Sequence, residues 1–193
     1  MSLENSICGI EKLSPEIKML IFQQLPVADR IRIERVSRTW QELAKNSWHL
    51  QKALDTNSLG LKPSGKYHVI VEIDSNVIEN ILQRCGRYLE KINLSWTRST
   101  SDWGNCDLSL VAEYCKNIQV IWSDSTSLEG IKSLADECRN ICDLTLYFNC
   151  ETEHEHDLTL GTLFARNKSL RCVDVCRASK RLIRWSLFAT IAF

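Results

Sequence analysis

The chain has 193 residues, with 24 basic and 24 acidic side chains and a formal net charge of zero. One or two domains are expected at that length, and the balanced charge gives no bias toward nucleic acid. No apolar run approaches the ~20 residues that a membrane helix needs, and Glu4, Glu11, Lys12 and Lys18 break up the N-terminus in a way that does not fit an ordinary signal peptide. The nine cysteines are an odd number scattered through apolar contexts. That usage fits reduced, buried thiols rather than a disulfide framework. A cytoplasmic or nuclear setting is therefore expected.

The first element in chain order is a helix. Ser14 is suited to cap it, Pro15 fits its first turn, and Glu16 favours the positive end of the dipole. Ile17, Leu20, Ile21 and Leu25 then recur at i, i+3, i+4 and i+8. Met19 and Phe22 widen the apolar face beyond what a small bundle needs, and Pro26 ends the helix. A second helix is expected from about Ala28 to Val36, and a third from about Ser37 to Asn46, carrying Trp40 and Leu43. Three short helices of this size lie near the lower limit for independent folding, so such a unit leans on a partner. Periodicity alone would also fit a plain helical cap on the rest of the chain.

The spacing of particular residues narrows this. Leu13-Ser-Pro-Glu-Ile17, Ile21-Phe22, Leu25-Pro26, Asp29-Arg30, Val36-Ser-Arg-Thr-Trp40, Leu43 and Trp48 together resemble the F-box, the adaptor-binding module of modular ubiquitin ligases. The sequence departs from the family's usual Leu-Pro-x-Glu at Ser14, with Pro15 following. The resemblance assigns residues 9–49 to the F-box and implies a Skp-type adaptor as partner, and through it a cullin. By matching position, it implies adaptor contacts at Leu13, Pro15, Glu16, Ile17, Ile21, Leu25, Val36 and Trp40.

Asn57, Gly60, Pro63, Ser64 and Gly65 make residues 50–66 read as a connector. Residues 67–176 are repetitive. Leu89-Glu-Lys-Ile92-Asn-Leu94, Ile118-Gln-Val-Ile121-Trp-Ser123, Ile141-Cys-Asp-Leu144-Thr-Leu146 and Leu170-Arg-Cys-Val173-Asp-Val175 share one pattern of aliphatic positions. Ser123 alone breaks it. Their first positions are spaced by 29, 23 and 29 residues, and cysteine precedes three of them, at Cys85, Cys115 and Cys138. Tyr67–Ile73 reads as a degenerate earlier strand. Helices are expected between the strands, at Val77–Arg84, Leu108–Tyr114, Leu128–Glu137 and Leu158–Arg166. Strand and helix alternating at this period resemble leucine-rich repeats, in which no unit buries its apolar face alone. The expected fold is thus α/β: a three-helix F-box followed by a short, irregular leucine-rich-repeat solenoid.

In such strands the aliphatics point inward, and the alternate residues share the opposite face. That face would carry Glu72, Asp74, Lys91, Asn93, Trp122, Asp124, Asp143, Thr145, Tyr147 and Asp174. Five are acidic and one is basic, an excess that favours a basic partner, and Trp122 and Tyr147 are anchors of the kind enriched at interfaces. Glu72, Asp74, Asn93, Trp122, Asp124, Thr145, Tyr147 and Asp174 are the candidate substrate contacts. The same residues equally fit an ordinary solvated sheet face.

Cys138-x-x-x-Cys142, Cys172-x-x-x-Cys176 and His154-Glu-His156 have metal-like spacings. Zinc sites pair such clusters more regularly, and the cysteines follow the repeat register, so core packing explains them better. The histidines sit among Glu151, Glu153 and Asp157 and read as a solvated acidic loop. No phosphate-binding Gly-rich loop or nucleophile signature is present; no cofactor, metal or catalysis is expected. The segment 177–193 leads from Arg177, Lys180, Arg181 and Arg184 into an apolar end. It fits the start of a further repeat in a truncated protein, a segment packed on the end of the stack, or an interfacial segment.

The combination implies a substrate-recognition subunit of an SCF-type cullin–RING ubiquitin ligase, directing a protein substrate to proteasomal degradation. The alternative is a non-ligase F-box scaffold, or a truncated form, that engages the adaptor without recruiting substrate.

Overall fold

Three helices form where the caps and periodicity put them. In the computed structural model, which describes residues 9–56, 59, 75–94, 107–123, 126–148, 153–177 and 183–186, α1 spans Pro15–Gln23, α2 Val27–Ile33 and α3 Arg38–Ser47. Ser14 Oγ accepts the Ile17 N–H at 3.5 Å, and Ser37 Oγ accepts the Trp40 N–H at 3.2 Å. Each serine thus satisfies an N–H that a helix start otherwise leaves open. Both α1 and α2 pack on α3, with the Phe22 and Trp40 rings 5.3 Å apart.

Beyond α3 the chain alternates strand and helix. The strands are β1 (Ala53–Asp55), β2 (Lys91–Asn93), β3 (Val120–Ser123), β4 (Asp143–Phe148), β5 (Cys172–Arg177) and β6 (Ile183–Ser186). The helices are α4 (Ser75–Cys85), α5 (Asp107–Tyr114), α6 (Leu128–Glu137) and α7 (Glu153–Arg166). Strand order follows sequence order; β1 to β5 are parallel and β6 is antiparallel to β5. Parallel neighbours need a crossover, and α4 to α7 supply one each, every helix packing on the next. The fold is mixed α/β, with N-terminal helices and a five-strand parallel sheet.

One row of the sheet builds the core. Leu54, Ile92, Ile121, Leu144 and Val173 lie opposite one another in register, and all are buried. Ser123, Leu146 and Val175 form a second inward row, and Ser123 is buried in its aliphatic slot. The core is continuous from Val27 and Trp48 through to Val175.

The units repeat in their hydrogen bonds as well as in their sequence. The Lys52 carbonyl accepts the N–H groups of Glu90 and Lys91 at 2.8 and 3.1 Å. Glu90 does the same for Gln119 and Val120, Gln119 for Cys142 and Asp143, and Cys142 for Arg171 and Cys172. Each carbonyl fixes the start of the following strand.

A second column stands where each helix ends. Cys115, Cys138 and Asn167 donate their N–H groups to Val111, Leu134 and Leu163, and all three are buried, as is Cys85 at the end of α4. Asn167 therefore occupies the position that cysteine holds in the earlier units. Its Nδ2 donates to the Leu163 carbonyl at 3.0 Å, and its Oδ1 accepts the Ile141 N–H at 3.0 Å. Burial pushes the Cys85 thiol up to about 12 and Cys138 to about 11, and raises Cys115 likewise.

Several expectations change here. The segment 50–66, read as a connector, contributes β1, because Lys52 and Ala53–Asp55 pair along β2. Its breaker residues come after that strand. His154–His156, read as a loop, fall inside α7, which begins at Glu153; acidic residues are favourable in a first helical turn. Residues 183–186, in the tail, add β6 beside β5 in the antiparallel sense. The strand expected at Tyr67–Ile73 lies outside the described residues.

Two predictions follow from the buried columns. Below pH ~9 the thiols hold their protons in both states. Above it an unfolded thiol ionises and a native one does not, so stability should fall as pH rises from about 9 toward about 12. Urea unfolding at about pH 8 and about pH 10.5 should show this fall, and Cys85→Ala should reduce it. An unchanged fall in the variant would assign it to other groups. Asn167→Ala leaves the Ile141 N–H buried without its acceptor and should cost about 2 kcal/mol in the same assay.

Candidate functional site

The N-terminal helices are organised around a buried cation. Arg30 is 1% exposed. Its Nε donates to the Phe22 carbonyl at 3.0 Å, Nη2 to the Gln23 carbonyl at 2.8 Å and Nη1 to Gln51 Oε1 at 3.0 Å. The guanidinium also lies 4.6 Å from the Trp48 ring centroid. Desolvation lowers its pKa from the ordinary arginine value. Trp48 Nε1 donates to Glu34 Oε1 at 2.9 Å. The Glu34 carboxylate is then held by Arg84 of α4, with Nε at 3.1 and 3.2 Å and Nη2 at 3.1 Å. Sequence reading gives no hint of these contacts. An arginine or glutamate on an amphipathic helix reads as a solvated position, and Glu34 and Arg84 are 50 residues apart.

A second clip holds the start of α1. Lys18 is buried and donates Nζ to the Glu11 carbonyl at 3.1 Å. Glu11 Oε1 accepts the Trp40 Nε1–H at 3.0 Å. The expected adaptor residues accordingly divide. Leu13, Pro15, Glu16, Ile17 and Val36 are exposed. Ile21, Leu25 and Trp40 are half-buried, and Trp40 is engaged by Glu11 and Phe22. A hydrogen bond with Ser14 holds the Glu16 carboxyl below the usual glutamate value.

Leu20 joins the exposed set, although it is absent from the motif match. It is 50% exposed, beside Ile17 at 45%. Ile17 and Leu20 are i, i+3 neighbours on one outward face of α1, and exposed Leu13 stands just before the Ser14 cap. Periodicity contained the signal for Leu20. Val36, 63% exposed, adds an apolar side chain at the turn before α3.

The sheet carries a second arrangement on the face opposite its core. Asn93, Trp122, Thr145 and Asp174 lie side by side in register across β2 to β5. Tyr147 lies two residues beyond Thr145 on β4, and Asp143 two residues before it. Trp122 is 41% and Tyr147 44% exposed. The structure thus brings five expected residues onto one face; Glu72, Asp74 and Asp124 lie outside the described residues. Among the described residues, no group of three His, Cys, Asp or Glu side chains is arranged to hold a metal, and no helix is long and apolar enough to cross a membrane.

Residues 11–55 match the F-box-like family. The match starts at Glu11, which clips the first turn to α1 and α3, and ends in β1. The chain carries an F-box-like domain, a class of adaptor-binding module found in SCF-type complexes and generally non-catalytic.

Replacing Arg30 should be costly because the Gln23 carbonyl and Gln51 Oε1 lose their Arg30 donors, and the Phe22 carbonyl keeps only its backbone partners, Leu25 among them. Arg30→Met is expected to destabilise the full chain by about 3 kcal/mol or more in urea unfolding. Arg30→Lys should not restore it, since an ammonium cannot fork to three acceptors in this geometry. A lysine variant with wild-type stability would mean that charge alone suffices.

Proposed function

We propose that this chain is a substrate-recognition subunit of an SCF-type cullin–RING ubiquitin ligase. Its F-box-like domain engages a Skp-type adaptor, and through it a cullin. The stacked strand–helix units act as leucine-rich repeats that hold a protein substrate. The observation that carries the reading is the exposed apolar surface of Leu13, Ile17 and Leu20 at and before the start of α1. The domain's own interior is already filled by Phe22, Trp48 and the stem of Lys18, so a second apolar face on α1 suits a partner rather than the fold.

The repeat reading draws on the four equivalent strand-start carbonyls and on the Cys85, Cys115, Cys138 and Asn167 column. Units that couple only to their neighbours favour an extended sheet face, which suits recognition of another protein. Asn93, Trp122, Thr145, Tyr147 and Asp174 are the proposed contacts on that face. The setting is proposed to be cytoplasmic or nuclear, where the thiols stay reduced.

The test is co-purification and affinity measurement with a Skp-type adaptor. Changing Leu13, Ile17 and Leu20 together to aspartate should reduce adaptor affinity by at least a hundredfold, at about 2 kcal/mol or more for each central position. The unfolding midpoint of the free chain should change little, because all three side chains already face water. Wild-type adaptor affinity in the triple variant would rule out this surface. Adaptor and cullin retained without any substrate would favour the scaffold alternative.

A further inference from the structure

The exposed aromatics on the sheet are not scattered. Trp122 is flanked along β3 by buried Ile121 and Ser123, and Tyr147 follows buried Leu146 on β4, so both rings belong to the face turned from the core. Thr145 sits at the middle of the arrangement. Trp122 is opposite it on one side and Asp174 on the other. Asp143 and Tyr147 stand two residues away in either direction along the same strand. Neighbouring strands lie ~4.8 Å apart, and i, i+2 residues ~6.7 Å apart, so all four side chains surround one small residue within reach of a single guest group.

We infer that Trp122, Tyr147, Asp143 and Asp174 around Thr145 receive a lysine or arginine side chain of a bound protein segment. This rests on the reading of the sheet face as the substrate surface, and it specifies the chemistry read there. Aromatic faces attract cations through the ring quadrupole, and the carboxylates supply the charge that a cation needs. An acidic guest would meet two carboxylates, and an apolar guest would desolvate them without compensation. Asp143 is the stronger of the two: its register neighbours are Val120 and Cys172, both uncharged. Asp174 is paired in register with position 184 of the antiparallel β6. Lys91 shares Asp143's row, two strands away on the far side of Val120, at about 10 Å between strand axes. A single exposed cation–π contact contributes only a few-fold in affinity, so a free amino acid would not be retained. The cation must belong to a longer segment that touches more of the face.

An array of immobilised peptides of mixed charge, probed with the full chain bound to its adaptor, tests this. Binders should share a lysine or arginine whose replacement by norleucine or citrulline weakens binding about tenfold. Trp122→Ala should weaken them similarly, and Asp143→Asn should reduce the preference for arginine over citrulline. Peptides that require Trp122 but are indifferent to that replacement would overturn the inference while leaving the sheet face as the substrate surface. Peptides that bind without dependence on Trp122, Thr145 or Tyr147 would overturn both.

Discussion

The buried guanidinium of Arg30 sets the terms for everything N-terminal to the sheet. A cation taken out of water costs several kcal/mol unless its donors are matched. Here the acceptors are the Phe22 and Gln23 carbonyls, at the C-terminal end of α1, where the dipole is negative; the Phe22 carbonyl also accepts the Leu25 N–H. The third acceptor, Gln51, immediately precedes the residues that start the sheet. One side chain therefore ties the end of α1, the body of α2 and the approach to β1. The Trp48 ring under the same guanidinium carries the constraint onward through Glu34 to Arg84 of α4. The F-box-like helices and the strand–helix stack consequently share a polar chain as well as a continuous core.

That internal order explains why α1 can present an apolar surface. With Lys18 held by Glu11, and Glu11 also taken by Trp40, the turn leading into α1 is clipped to both neighbouring helices. The exposed apolar surface is then presented by a rigid element. A partner that binds it pays less to order it than it would for a fraying helix.

Legibility from sequence tracked the range of the interaction. Serine caps and 3.6-residue periodicity are local, and α1 to α3 fall within a few residues of their expected ends. The inward and outward faces of β3 and β4 were legible because strand alternation fixes both once the aliphatic slots are known. β1 was hidden because three residues give alternation too little length, and Asn57, Gly60 and Pro63 beside it dominate the local signal. β6 was hidden because its place depends on backbone pairing with β5. The contacts of Arg30, Glu34 and Arg84 were invisible for a different reason, although Arg30 belonged to the motif: a charge on an amphipathic helix reads as solvated until its partners, far along the chain, are known. Trp40 was legible as a motif residue, yet its indole is held from within the domain, a distinction no spacing conveys.

The last described strand–helix unit differs from those before it. Inside it, a small thiol suffices where helix turns to strand. Cys85 Sγ contacts the Ile81 carbonyl at 3.3 Å and Cys138 Sγ the Cys115 carbonyl at 4.0 Å. These are weak contacts, adequate because the next unit covers each position. The last helix has no following helix among the described residues, and there Asn167 replaces the thiol. Its amide both donates and accepts, reaching back to the Ile141 N–H of the preceding unit. The edge of β5 receives β6 in the opposite direction, which closes an otherwise open row of backbone groups. A stronger side-chain bond and a reversed strand thus occur together in the last described unit. Each adds a contact beyond those of the preceding units: Asn167 ties the end of α7 to the start of β4, and β6 supplies β5 with a second paired edge.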